Sequence, residues 1–453
     1  MAGTTSANAG AGTTPAARAI HVDDLAVPRL PGWYRAVDRT VCGPLAAGRW
    51  GRLDADDLLA AAGASTTTAD GVDVLADLDG GGDGTRVRAA LEALLDSAER
   101  EADLRPVGRI MVRQLVIQLV RTRLAVQDLL RRHPEILQER IERPIVILGL
   151  PRTGTTHLHE LLAADPALRS LPYWESLEPV GPGPDGRPPA TGPDPRVARC
   201  SRALALLHRV MPLFPAMHEM TPEGPHEEIQ LLAVDFTSML FEASYQVPSY
   251  RDWYRAADQA PAYRTLRTML QVLQWLRGGE RWVLKSPQHL EQLPALLAAF
   301  PDATLVQTHR DPVPVLASVS TMIAYTRRSQ HRRVDPVQVG RDWSARIEEM
   351  LHRNVVQRDA LAADPAGADV LDVRFHELMP DVVGGVRRIY EQAGQPWTAT
   401  TEAVVRARHA AAPRGRHGRL SYRLADLGID PAERRAALRF YQARFAVPDE
   451  ETA

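Results

Sequence analysis

Gly149-Leu150-Pro151-Arg152-Thr153-Gly154-Thr155-Thr156 joins a short apolar run, Ile145 to Leu148, to a segment with helical spacing. A glycine-containing turn between a strand and a helix aims backbone N–H groups and the positive end of the helix dipole at one point, an arrangement that suits an anion. The order strand, loop, helix predicts a phosphate or sulfate site here. In the nucleoside triphosphatase version of such a loop a lysine reaches the β and γ phosphates and the following hydroxyl holds magnesium. Thr155 stands at that lysine position, while Arg152, three residues earlier, offers a guanidinium fork for a terminal oxyanion. The expected donor is therefore not a magnesium-bound triphosphate.

A second candidate stands out by its rarity. Of 54 lysines and arginines only Lys285 is a lysine. A compact ammonium and a flat guanidinium are not equivalent, so a position that keeps lysine against this background points to a need for a point charge. Lys285 closes the apolar run Trp282-Val283-Leu284 and precedes Ser286-Pro287. That is the carboxyl lip of a buried strand, where open α/β sheets bind ligands. A third stretch, Thr308-His309-Arg310-Asp311-Pro312, leaves another apolar run, and Ser318 follows Arg310 by eight residues.

The phosphate loop and this Arg/Ser pair resemble those of the sulfotransferases that use 3′-phosphoadenosine 5′-phosphosulfate (PAPS), especially the bacterial, actinobacterial-type branch whose loop reads P-R-[ST]-G-T-T. The resemblance implies that Arg152, Thr153, Gly154, Thr155 and Thr156 bind the 5′-phosphosulfate, and that Arg310 and Ser318 bind the 3′-phosphate. Arg414-Gly415-Arg416-His417-Gly418 resembles the late basic glycine loop that closes over that phosphate, although it departs from the family's Arg-Lys-Gly order. It also implies that Lys285 stays with the sulfuryl or bridging oxygens as the bond breaks.

The implied reaction moves a sulfuryl group from PAPS to a hydroxyl or amine of a small acceptor by in-line displacement, releasing 3′-phosphoadenosine 5′-phosphate. A sulfuryl group carries one less negative charge than a phosphoryl group, so no metal is expected. Four residues compete as general base. Glu160, on the helix after the loop, Glu175, in Tyr173-Trp174-Glu175, and His159 each resemble residues of related sulfotransferases. His289 stands four residues after Lys285, shifted from the histidine position of the cytosolic enzymes, where Pro287 lies. Met211 to Met217 with Tyr250, Trp253 and Tyr254 could line an apolar acceptor channel.

These residues need a scaffold that brings strand ends together. Short apolar runs at 145–149, 281–285, 303–308 and 368–375 alternate with helical stretches, which predicts an α/β fold: a P-loop-type, doubly wound parallel sheet flanked by helices. Residues 26–140 read as a helical N-terminal cap, 141–445 as the α/β domain, and about 196–277 as a helical insertion in it that holds the acceptor. The Ala/Gly/Thr/Ser-rich start predicts a disordered tail over 1–25.

Composition excludes several classes. The formal charge of -2 argues against nucleic acid as a partner. No apolar run reaches the roughly 20 residues of a membrane span. Two cysteines, without metal-ligand spacing, fit a reducing cytoplasm. The start of the chain lacks the pattern of a secretory signal. Two other readings remain at this point: a small-molecule kinase using ATP-Mg, and a non-catalytic module that kept the fold.

Overall fold

Ile145–Leu148 contains no polar side chain and is buried throughout, as a strand covered on both faces requires. The computed structural model describes residues 19–64, 83–183, 185–189, 191–411 and 419–450. Its strands are β1 (Ala19–His21), β2 (Ile145–Leu148), β3 (Val283–Lys285), β4 (Thr304–His309), β5 (Val370–Arg374) and β6 (Arg419–Ser421). The central sheet has the order β3-β2-β4-β5, with each neighbouring pair parallel. Its strands are the four apolar runs, and the fold is the expected α/β architecture.

Successive side chains of a strand point to opposite faces, so each strand supplies two cores. Ile145, Ile147, Val283 and Val306 pack on one face with Leu158, Leu161 and Ile389. Val146, Leu148, Leu284 and Leu305 turn to the other, into a larger core. That core also takes in Leu91 and Leu94 of the helix Asp83–Glu101, Val116 and Val120 of Pro106–Arg132, and Leu266 and Leu270 of Ala260–Arg277. Each such buried aliphatic side chain contributes about 1.5–3 kcal/mol. The N-terminal helices and the insertion thus share one apolar interior with the sheet.

Of the tail expected over residues 1–25, residues 1–18 lie outside the described residues, and from Ala19 onward the chain is paired and packed. Ala19–His21 pairs in parallel with Arg419–Ser421, and Val22 and Leu25 are buried. The small-residue composition stops at Arg18, and Ile20-His21-Val22 brings residues that a strand can pack. No helix among the described residues is long and apolar enough to cross a membrane.

Candidate active site

The loop after β2 is held by close backbone approach. Leu148 is level with Gln307 on β4, which sets Gly149 beside Thr308. A Cβ on Gly149 would lie 2.2 Å from Thr308 Oγ1. Gly149, Arg152 and Gly154 all have positive φ, at 152°, 71° and 96°, so the loop turns sharply at two glycines and one arginine. The Thr153 hydroxyl donates to the Leu150 carbonyl and contacts Thr308 Oγ1, both at 2.6 Å. That hydroxyl, expected to meet the donor, is engaged in fastening the loop to β4.

The helix Thr155–Leu162 begins at Gly154 with no side chain capping it. Its first-turn N–H groups therefore lack the partner that a capping residue usually supplies, which is the condition for taking an oxyanion. Arg152 reaches across to the insertion, where Nη1 donates to the Met217 carbonyl at 2.6 Å.

Lys285 ends β3 level with Ile147, two residues short of the loop. Its backbone N–H donates to Glu228 Oε2 at 2.9 Å, and its ammonium is ion-paired with Glu227. Glu228 is fully buried and bonds His289 through its other oxygen. Consecutive glutamates thus fix both the backbone and the head group of the one lysine.

Arg310 is positioned from below by its neighbour. His309 is buried between Asp372 at 2.9 Å and Tyr441 at 2.8 Å. From there Arg310 Nη1 donates to the Arg152 carbonyl at 2.9 Å, its guanidinium lies 4.2 Å from the Phe375 ring centroid, and Glu450 pairs with it at 2.7 Å. Asp311 caps the helix Pro312–Arg327 through Val313 N at 3.0 Å, and Ser318 is buried two turns along that helix. Arg414 and Gly415 lie outside the described residues.

A cavity brings together Thr156 and Glu160 of the loop helix, Lys285 of β3, His218 and His226 of the insertion, and Arg408. The four candidate bases separate around it. Glu160 lines the cavity and is held by Arg408 at 2.8 Å. Glu175 does not line it. Its carboxylate is buried and tied to Arg169 and Arg277, each at 3.2 Å, and this clamp gives it a structural place. His159, one residue before Glu160, falls on the inner side of the helix, buried, with neither ring nitrogen bonded to a side chain. Burial, reinforced by the nearby Lys285 charge, pushes its pKa down to about 3. His289 is fully buried between Glu228 and Tyr263, whose hydroxyl is 2.7 Å from Nδ1. His159, Glu175 and His289 thus lie off the lining of this cavity, and Glu160 lies on it.

His218, His226, Glu227 and Glu228 are not among the residues that motif and spacing single out. A signal was present. Glu219 to Glu228 places His226-Glu227-Glu228 directly after Gly224-Pro225, a run of titratable residues with no amphipathic period to account for it.

The model of the Sulfotransferase family matches residues 144–399, more than half of the chain and all of the sheet. The chain belongs to the sulfotransferase family. Among sulfotransferases of known structure, STF1 from Mycobacterium tuberculosis H37Rv superposes with a TM-score of 0.70 at 32% identity, over 84% of this chain and 97% of that one. STF9 from Mycobacterium avium gives 0.74 at 29%, over 88% and 98%. The omega-hydroxy-beta-dihydromenaquinone-9 sulfotransferase Stf3 of Mycobacterium bovis and of Mycobacterium tuberculosis is 26% identical over 263 residues, 55% of this chain. The match spans 62% of the length of those curated relatives.

Proposed function

We propose that this sulfotransferase moves a sulfuryl group from PAPS to the hydroxyl of a small apolar acceptor, without a metal ion. The observation that carries the reading is the meeting, on one cavity, of Thr156 from the uncapped first turn after the positive-φ loop and the one lysine of the chain. The loop N–H groups, Arg152, Thr155 and Thr156 would hold the 5′-phosphosulfate, and Arg310, with Ser318 behind it, the 3′-phosphate. The fit is steric as well as electrostatic. Arg310 stacks on Phe375 beside a hollow lined by Met379, Pro380 and Val447 that suits a purine.

Lys285 stabilises negative charge as it develops on the oxygens of the group in flight. For that it must leave Glu227 in part, and the sulfuryl oxygens offer the ammonium an alternative anion. The acceptor side is walled by Met220 and Pro225 of the insertion and by Tyr173, which precedes it. A menaquinone-type lipid bearing a terminal hydroxyl, as in the name of Stf3, is the first acceptor class to try. Cys42 and Cys200 are both free and buried, in keeping with a cytoplasmic location.

Thermal shift with 3′-phosphoadenosine 5′-phosphate against ATP-Mg tests the donor. A nucleotide at 100 times its dissociation constant adds roughly 2.7 kcal/mol of stability. Stabilisation by the 3′-phosphorylated nucleotide is expected, and stabilisation by ATP-Mg alone would return the kinase reading. An acceptor screen with PAPS then identifies the alcohol.

A further inference from the structure

We propose that His218, contributed by the helical insertion, is the general base that takes the acceptor's proton. This rests on the donor reading above and assigns the acceptor half of the same site.

Position is the first argument. His218 lines the cavity that also holds Thr156 and Lys285, two residues of the proposed donor site. It enters from the insertion, whereas Thr156 follows the anion loop and Lys285 ends β3, so the acceptor half of the site comes from an element separate from those of the donor half. The residue before it, Met217, receives the Arg152 hydrogen bond at 2.6 Å, so the anion loop itself fixes the backbone that carries the imidazole. The ring is steadied by Phe214 at 6.0 Å and His226 at 6.3 Å between centroids.

Protonation state is the second. Burial is the main influence on His218 and lowers its pKa to about 4, with Glu227 opposing and Lys285 and Arg152 reinforcing the shift. The imidazole is thus neutral at neutral pH and able to accept. Donor anions that neutralise Lys285 and Arg152 would remove part of this depression and raise its basicity when a base is wanted. Around it stand Arg152 from the loop, Lys285 from β3, Glu227 and His226 from the insertion, and Glu160 with Arg408 across the cavity. Glu227 is placed to stabilise the imidazolium once formed.

The step balances without a further reactant. The acceptor oxygen forms a bond to sulfur as the bond from sulfur to the 5′-phosphate oxygen breaks, and that electron pair leaves on 3′-phosphoadenosine 5′-phosphate. The acceptor's proton passes to His218 and then to solvent.

The test compares wild type with His218→Gln using PAPS and a series of alcohols and phenols of increasing acidity. Nucleotide binding should be unchanged within about threefold. The kcat should fall at least about a hundredfold for weakly acidic alcohols, with the loss shrinking toward tenfold for nitrophenols, whose protons need little help. An equal loss across the series, or no loss, overturns the assignment. His218→Ala provides a second arm, in which added imidazole should restore turnover. Failure of rescue in a variant that still binds nucleotide counts against the base role. If instead wild type binds no 3′-phosphorylated nucleotide and sulfates nothing, it is the donor reading that fails.

Discussion

The Glu450 carboxylate meets Arg310 side-on, bonding Nε at 2.8 Å and Nη2 at 2.7 Å. An acidic side chain thereby stands where the proposed donor would bring its 3′-phosphate. The segment that carries it is fastened by Asp311, which accepts from Glu450 N at 2.6 Å, and by Arg435, which bonds the Glu450 carbonyl at 2.7 Å.

Removing the competing carboxylate should help the nucleotide. Glu450→Gln is expected to tighten binding of 3′-phosphoadenosine 5′-phosphate roughly two- to fivefold, the size of a partly exposed ion pair. Arg310→Ala should erase the preference for that nucleotide over adenosine 5′-phosphate. Titration calorimetry reads both, and an undiminished preference in the second variant would take Arg310 out of the site.

Lys285→Ala should bind nucleotide and turn over at least about a hundredfold more slowly, because charge stabilisation at the transition state is lost while the loop contacts remain. Lys285→Arg should recover little, since a planar fork cannot occupy the place of a compact ammonium. Single-turnover rates at saturating PAPS separate this effect from binding, and a normal rate in either variant removes Lys285 from the chemistry.

Glu175→Gln should act on stability rather than on the chemical step. Breaking a buried carboxylate away from Arg169 and Arg277 costs about 3 kcal/mol. Urea unfolding should show the loss, while the pH profile of kcat keeps its shape. An unchanged midpoint together with a lost basic group in that profile would restore Glu175 as a base.

Acid should weaken the fold before its carboxylates titrate. His159 and His218 have pKa values of about 3 and about 4 when folded, from 6.5, and burial also holds His226 low. Between pH 6.5 and about 4 the unfolded chain takes up protons that the folded one refuses, so stability present above 6.5 is lost as pH falls. The slope is up to about 1.4 kcal/mol per pH unit for each imidazole. Unfolding free energies at pH 7.5 and 5.0 measure it, and equal values would mean that these rings are protonated in the fold.

The strands and the sharp turn from β2 into the helix Thr155–Leu162 were legible because their signal is local. Ile145 to Leu148 followed by two glycines and a helix describes its own geometry, and a lone lysine at a strand end announces itself by type. The base was not legible. Glu160, Glu175 and His159 lie within sixteen residues of one another, and nothing in their spacing shows which faces the cavity. That depends on the sheet, which buries His159, and on Arg169 and Arg277, which capture Glu175 from a distance. His218 and Glu227 come from an insertion whose docking on β3 no local pattern encodes.

The short ladder of β1 with β6 also has a temporal side. Ala19 and Arg419 are partners across 400 residues, and β6 directly follows the stretch that carries Arg414 and Gly415. On the ribosome the early strand must wait, unpaired, until β6 has emerged, and joining the two closes a very long loop. The β1–β6 pairing is therefore among the last contacts to assemble, and removing Ala19–His21 would leave β6 without its parallel partner.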